Sequence, residues 1–278
     1  MKVKILIGIL MVLVVGGIGL LIYKNGKANE GYDLKIYFFE AGKADCILIS
    51  NNGEYIMIDT GEETLSGTIL QYLKNNNITK LDYLIITHFD KDHVGSAAAI
   101  LNNVTVDNVL QSNCPKDSKY YENYINALNG NGITPTTVSS DMTFALADLK
   151  ITVNGPKSIY DSNESNNSSL IVEMNYKDTN YLFTGDAQND RIKDYLKTKS
   201  SAASYDFIKI PYHGNYQKQL DNLLEWANPT YAVITCSDEE PDTSETEDLL
   251  QEMNIEYYLT KNGSVTITSD GINIKIKQ

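Results

Sequence analysis

The chain has 278 residues, 36 of them acidic against 23 basic, and a formal net charge of −13 at pH 7. Four lysines and one glutamate fall in the first thirty residues, so the remainder is more acidic still; such a surface repels nucleic acid at long range and does not seek anionic lipid. Three cysteines, Cys46, Cys114 and Cys236, are an odd number that argues against a disulfide framework and leaves room for at most one bridge.

Lys2 and Lys4 precede eighteen uncharged residues, Ile5 to Ile22, and Lys24 and Lys27 follow them. A helix crosses a bilayer with about 20 apolar residues. Residues 1–30 are therefore expected to be one N-terminal transmembrane helix and its linker. That makes a single-pass anchor in the cell membrane through residues 5–22, with the rest of the chain outside the cytoplasm. The alternative is an export signal cleaved near Gly26-Lys27-Ala28 and a secreted product. Residues 31–278 are long enough for one large domain or two small ones.

Short apolar or alternating runs at 34–39, 46–50 and 54–58 predict strands, with Asn51-Asn52-Gly53 as the turn between the last two. A helical pattern covers 64–74, and LDYLIIT (81–87) reads as a fully buried strand ending at Thr87. Next come a short helix over 94–101, a strand at 104–110 and a helix over 117–128. Short strands at 143–146 and 149–153 precede a polar loop over 158–169. LIVEMNY and TNYLFTG predict a hairpin over 170–185, followed by a helix over 187–197 and the strand YDFIKIP (205–211). A helix over 216–226, the strand TYAVITC (230–236), a helix over 244–253 and strands at 256–259, 264–268 and 272–276 finish the chain. This order favours an α+β fold of two mixed sheets packed on each other with helices outside.

The chain uses histidine three times, and two of the three lie in THFDKDHVG, residues 87–95. His88, Asp90, Asp92 and His93 occupy the turn after a buried strand, where alternate side chains can point into one space. Imidazole and carboxylate are ligands that divalent transition ions take. An aspartate at a helix start often only caps backbone amides, but four ligand-type residues in six positions exceed what capping needs. YLFTGD delivers Asp186 from a second strand end, and FIKIPYHG delivers His213 from a third. Cys46 and Cys236 sit in apolar runs and read as small buried hydrophobes.

In order, FFEAGKADCILIS, EYIMIDTG, THFDKDHVG, NNSSLIV, LFTGD and IPYHG resemble the metallo-β-lactamase-fold hydrolases. Within them the chain is similar to the hydrolase domain of bacterial DNA-uptake (competence) channel proteins, from about residue 33 to the end. The resemblance implies a four-layer αββα sandwich as a single hydrolase domain over 31–278. It implies a first metal site of His88, Asp90 and a bridging Asp186, and a second of Asp92, His93, Asp186 and His213. Asp45 and Asp59 would support these ligands from behind. Asn166 and Ser169 match the asparagine and serine that this branch carries where the superfamily has a further histidine. Tyr212 stands where a histidine commonly precedes His213.

The expected cofactors are two divalent ions, manganese or zinc, with Asp92 and Asp186 holding them and a bridging hydroxide attacking phosphorus. Tyr212 is the candidate donor to the leaving oxygen. The resulting expectation is a metal-dependent phosphodiesterase acting on nucleic acid or a phosphate-containing polymer. An ester or thioester hydrolase of the same fold, or a non-catalytic metal-binding surface domain, is the alternative. The sequence names no protein partner.

Overall fold

The computed structural model describes residues 33–160, 162–199 and 201–278. The expected membrane segment and linker at 1–30 lie outside the described residues. Among the described residues, no helix is long and apolar enough to cross a membrane.

Six strands open the first sheet: β1 (Leu34–Phe38), β2 (Ile47–Asn51), β3 (Glu54–Ile58), β4 (Lys80–Ile86), β5 (Thr105–Gln111) and β6 (Thr136–Thr137). The second sheet takes β7 (Met142–Leu146), β8 (Leu149–Asn154), β9 (Ile171–Tyr176), β10 (Thr179–Phe183), β11 (Phe207–Lys209), β12 (Tyr231–Ile234) and β13 (Glu256–Leu259). The chain then returns to the first sheet with β14 (Val265–Ser269) and β15 (Ile274–Lys277), which sit beside β1. The strand orders are β15-β14-β1-β2-β3-β4-β5-β6 and β13-β12-β11-β10-β9-β8-β7.

Period-two side-chain alternation builds the layers. Leu34, Ile36 and Phe38 of β1, Ile56 and Ile58 of β3, and Ile85 of β4 face the second sheet, where Val172, Tyr181, Phe183 and Phe207 meet them. The opposite face of the first sheet, with Met57, Leu84 and Ile86, packs under α1 (Ser66–Asn75), α3 (Ala97–Asn103) and α4 (Lys119–Gly130). The outer face of the second sheet, with Leu182, Ile208 and Ile234, packs under α5 (Asn189–Lys197), α6 (Gln219–Ala227) and α7 (Ser244–Glu252). Helices, sheet, sheet and helices are the four expected layers. All three cysteines are buried.

Several elements differ from expectation for local reasons. The helix expected over 94–101 is split into α2 (Lys91–Val94) and α3. At Gly95 between them a Cβ would lie 2.4 Å from Lys91 O and 2.7 Å from Gly61 O, so the backbones cross there. The strand expected over 205–211 keeps only three residues, because Pro211 opens a 3-10 turn, Pro211–Gly214. The polar stretch over 158–169 is not all loop, since Ser162–Ser168 wind into 3-10 turns.

Within each sheet one run of strands is parallel, β3-β4-β5-β6 in the first and β10-β11-β12-β13 in the second. Ligands of open α/β sheets bind beyond the carboxyl ends of such strands. Asp59, Thr87, Asp186, His213 and Thr235 all follow those ends.

Candidate metal centre

His88, His93 and His213 are all fully buried, with Asp186 and Asp92 beside them. His213 Nε2 lies 3.1 Å from Asp186 Oδ2, and His93 Nε2 lies 3.3 Å from the same oxygen. The two Nε2 atoms are 3.3 Å apart, and Asp92 Oδ2 is 3.5 Å from His213 Nε2. The three strand ends therefore converge on one point. Donor atoms of His88, His93 and Asp186 lie within 4.8 Å of one another, as do those of Asp92, His93 and His213.

The backbone that achieves this is held tightly. Thr60 N–H and Thr60 Oγ1–H both donate to His93 O, at 2.7 and 2.8 Å, and Asp45 N–H donates to Asp92 O. Asp59, Tyr212 and His213 all take left-handed backbone, with φ of 55°, 52° and 54°. Such strain in residues other than glycine persists only where surrounding contacts enforce it. Gly185 lets the sheets close: a Cβ there would sit 3.0 Å from Thr87 Oγ1 and 3.2 Å from Ser169 Cβ.

Each imidazole has its Nδ1 engaged by the protein. His93 Nδ1 donates to Asp59 Oδ2 at 2.8 Å, and His213 Nδ1 donates to the Thr235 carbonyl at 2.9 Å. Thr87 Oγ1 gives its own proton to Asp59 Oδ2 at 2.6 Å, so it accepts from His88 Nδ1 at 3.2 Å. That leaves the lone pair of His88 on Nε2, which is buried and has no hydrogen-bond partner; Asp186 Oδ1 is likewise buried and unbonded. Unsatisfied buried polar atoms are rare, and an ion that binds both explains this pair. Imidazole nitrogens whose other nitrogen is fixed by a carboxylate or carbonyl are the form divalent ions take. The donor set fits such ions.

Neighbouring charge decides the protonation of this cluster against burial. Burial alone would raise the Asp186 carboxyl, but His213 and His93 hold it well below the usual carboxylate range. Burial would likewise neutralise His93 and His213, yet Asp186 with Asp59 lifts His93 well above its ordinary value, and Asp186 with Asp92 lifts His213. His88 differs: burial and repulsion from His93 push it down, toward a neutral lone-pair donor.

The supporting residues take distinct places. Asp59 accepts from Thr87 N–H at 2.7 Å in addition to Thr87 Oγ1 and His93. Asp45 Oδ1 accepts from Thr235 Oγ1 at 2.6 Å. Ser169 Oγ accepts from Asp186 N–H at 3.1 Å and lies 3.4 Å from His88 Nδ1. Asn166 and Tyr212 line the cleft above the centre, where Tyr212 is half-buried. Asp90 stands somewhat apart: its Oδ1 is 3.9 Å from His88 Nε2 and is held by Lys116 Nζ and Ser165 Oγ, both at 2.5 Å.

Lys209 was not among the expected site residues. Fully buried, its Nζ lies 2.5 Å from Asp45 Oδ2 and 3.6 Å from Asp186 Oδ1, and it donates to Gly185 O at 2.9 Å. Burial would lower this ammonium, but Asp45 and Asp186 raise it. A lysine inside the apolar run FIKIP was the signal in the sequence, because charge is rarely buried unpaired. Lys116 and Ser165 carried no such signal, since both lie in polar stretches.

A His/Asp cluster on the strand ends of two face-packed sheets defines a metallo-β-lactamase fold. Residues 40–237 match the Metallo-beta-lactamase superfamily, and the chain belongs to it. Members of this class are in general metal-dependent hydrolases. The chain is similar to ComE operon protein 3 of Bacillus subtilis, 25% identical over 172 residues that make up 60% of this chain and 21% of that protein. It is also similar to Recombination protein 2 of Haemophilus influenzae, 26% identical over 201 residues, 70% of this chain and 23% of that one. These relatives agree with the resemblance read from the motifs, and the chain spans less than a quarter of either. Among solved structures, the metallo-beta-lactamase fold protein YhfI from Bacillus subtilis aligns with a TM-score of 0.57 at 10% identity, over 88% of this chain and all of that one. CmlA, a diiron beta-hydroxylase from Streptomyces venezuelae, aligns with 0.57 at 13% identity, over 86% and 54%. At such identities the likeness is one of fold alone.

Proposed function

We propose that the chain is a two-metal phosphodiesterase acting on nucleic acid or another phosphate-containing polymer. The observation that carries this reading is the set of three buried imidazoles, each with Nδ1 engaged by the protein and Nε2 left for the interior of the cluster. His88, Asp186 and Asp90 would hold the first ion, with Asp90 held in place by Lys116 and Ser165. Asp92, His93, Asp186 and His213 hold the second. One nitrogen among oxygens suits manganese or zinc at the first position. Bound there, the ions supply an activated water and a Lewis acid for a phosphoryl oxygen.

The chain's own groups do the rest. Asp59 fixes the tautomer of His93 directly and that of His88 through Thr87, and Thr235 fixes His213. Lys209 keeps Asp45 ionised and braces Asp186 through its contacts with Gly185 O and Asp186 Oδ1. Tyr212, at the mouth, donates a proton to the leaving oxygen. The name of Recombination protein 2 favours a nucleic-acid substrate over a carboxylic ester. In the same reading residues 5–22 anchor the chain in the membrane with the hydrolase outside the cytoplasm, which protease accessibility in intact cells tests.

Metal analysis of chain purified without chelator, followed by bis-p-nitrophenyl phosphate, a phosphorylcholine ester, DNA and nitrocefin with manganese or zinc, tests the enzymatic reading. Two ions per chain and turnover of a phosphodiester are expected. Turnover confined to nitrocefin, or a metal-loaded chain inert on all four, overturns it.

A further inference from the structure

A cleft of about 450 Å³ opens over the centre, and its lining sets Lys43, Lys91 and Lys116 beside Asp90, Asp92 and Asp186. On a chain with 36 acidic and 23 basic residues, three lysines against three aspartates make the cleft a locally balanced patch. The three aspartates are all candidate metal ligands, so two divalent ions would leave the cleft strongly positive. Lys91 is committed outward to Glu62, at 2.8 Å. The other two are not. Lys43 Nζ lies 3.7 Å from Asp92 Oδ2, and Lys116 Nζ holds Asp90 Oδ1 and lies 3.2 Å from Ser165 Oγ. Each is about 30% exposed, and each pairs among the described residues only with a carboxylate of the candidate centre. They reach the cleft from separate loops, after β1 and after β5.

We propose that Lys43 and Lys116 are specificity-determining residues that bind the phosphates flanking the scissile one, selecting a phosphodiester-linked polyanion over a small isolated diester. This rests on the phosphodiesterase reading above. With Asp90 and Asp92 sharing their charge with the ions, the two ammonium groups lining the cleft would be less fully neutralised by those carboxylates. A neutral ester gains nothing from them, and a lone diester can occupy only the metal-facing position. A polymer presents further phosphates at the rim, where each ammonium contact displaces a condensed counterion. This local field also lets an acidic chain accept a polyanion that the rest of its surface repels.

The test compares the full chain with its Lys43→Met/Lys116→Met and Lys116→Arg variants, under varied salt, on oligothymidylate, a glycerol-phosphate oligomer and bis-p-nitrophenyl phosphate. The double variant should lose kcat/KM on the preferred oligomer, through KM, by tenfold or more beyond its loss on the small diester. Its salt dependence should flatten by about one to two units of log–log slope, and Lys116→Arg should recover most of the affinity. The oligomer that shows the effect identifies the source of the phosphates. Equal losses on oligomer and diester with a fall in metal content, or no change on either oligomer, overturns the inference. Anisotropy of labelled oligomers separates the two levels: binding that the double variant loses supports the lysines even where turnover is absent, whereas an inert wild type with full metal removes the phosphodiesterase reading.

Discussion

Two hollows of equal size, each about 450 Å³, lie at opposite ends of β4. The one before the strand is lined by Leu70, Leu73, Lys74, Asn77, Ile78, Thr79, Asn103 and Val104, and among the described residues no ligand-type cluster lies beneath it. The one after the strand sits over three buried imidazoles and their carboxylates. Volume does not distinguish them. What does is that three imidazoles and their carboxylates are buried together after the strand, at a cost to the fold that a bound ion would offset.

Asp186→Ala should give the largest effect, eliminating turnover and metal binding together, because one carboxylate reaches both His93 and His213. Activity retained in a metal-free preparation of this variant would break the contrast between the two ends. Lys209→Met comes next. It leaves Asp45 and Asp186 buried without their ammonium, and loss of one partner of a buried pair costs about 3–5 kcal/mol. Urea unfolding should show that loss, and an unchanged midpoint would show the buried pair to be irrelevant to folding.

Asp59→Asn should be milder, lowering metal affinity about 10–100-fold while the fold survives. Its amide has one acceptor oxygen, so it can no longer accept from Thr87 N–H on one side and from Thr87 Oγ1 and His93 on the other, and the tautomers of two imidazoles loosen. Titration with a competing chelator measures this. The smallest effect is graded with pH in metal-free chain. Asp45, Asp90, Asp92 and Asp186 are depressed, so their contribution is present above about pH 4 and lost as pH falls. His93 and His213 are raised, so theirs is complete below about pH 6.5 and lost as pH rises through the folded values. Stability in chelator should therefore peak between about pH 4 and 6.5, and added metal should diminish the alkaline loss by replacing protons on Nε2.

Much of this was legible beforehand. Strands buried on both faces read as continuous apolar runs, as LDYLII does, and polar residues at their ends marked the site. The local rules ran out where distant backbone decided the outcome. Gly95 breaks a helix because Gly61 and Glu63 press on it, a contact that no window of sequence contains. The left-handed turn that aims His213 is imposed by packing, since a bulky Tyr212 rarely adopts it. Asp90 read as a plain ligand because its partners Lys116 and Ser165 lie 26 and 75 residues away.

The homecoming of the last two strands bears on folding. β14 pairs with β1 along its whole length, from Leu34 with Ser269 to Phe38 with Val265. Until β14 is in place, β1 remains a bare edge able to recruit strands from other molecules. Completion of the first sheet thus waits on a strand that follows the whole of the second sheet in the chain.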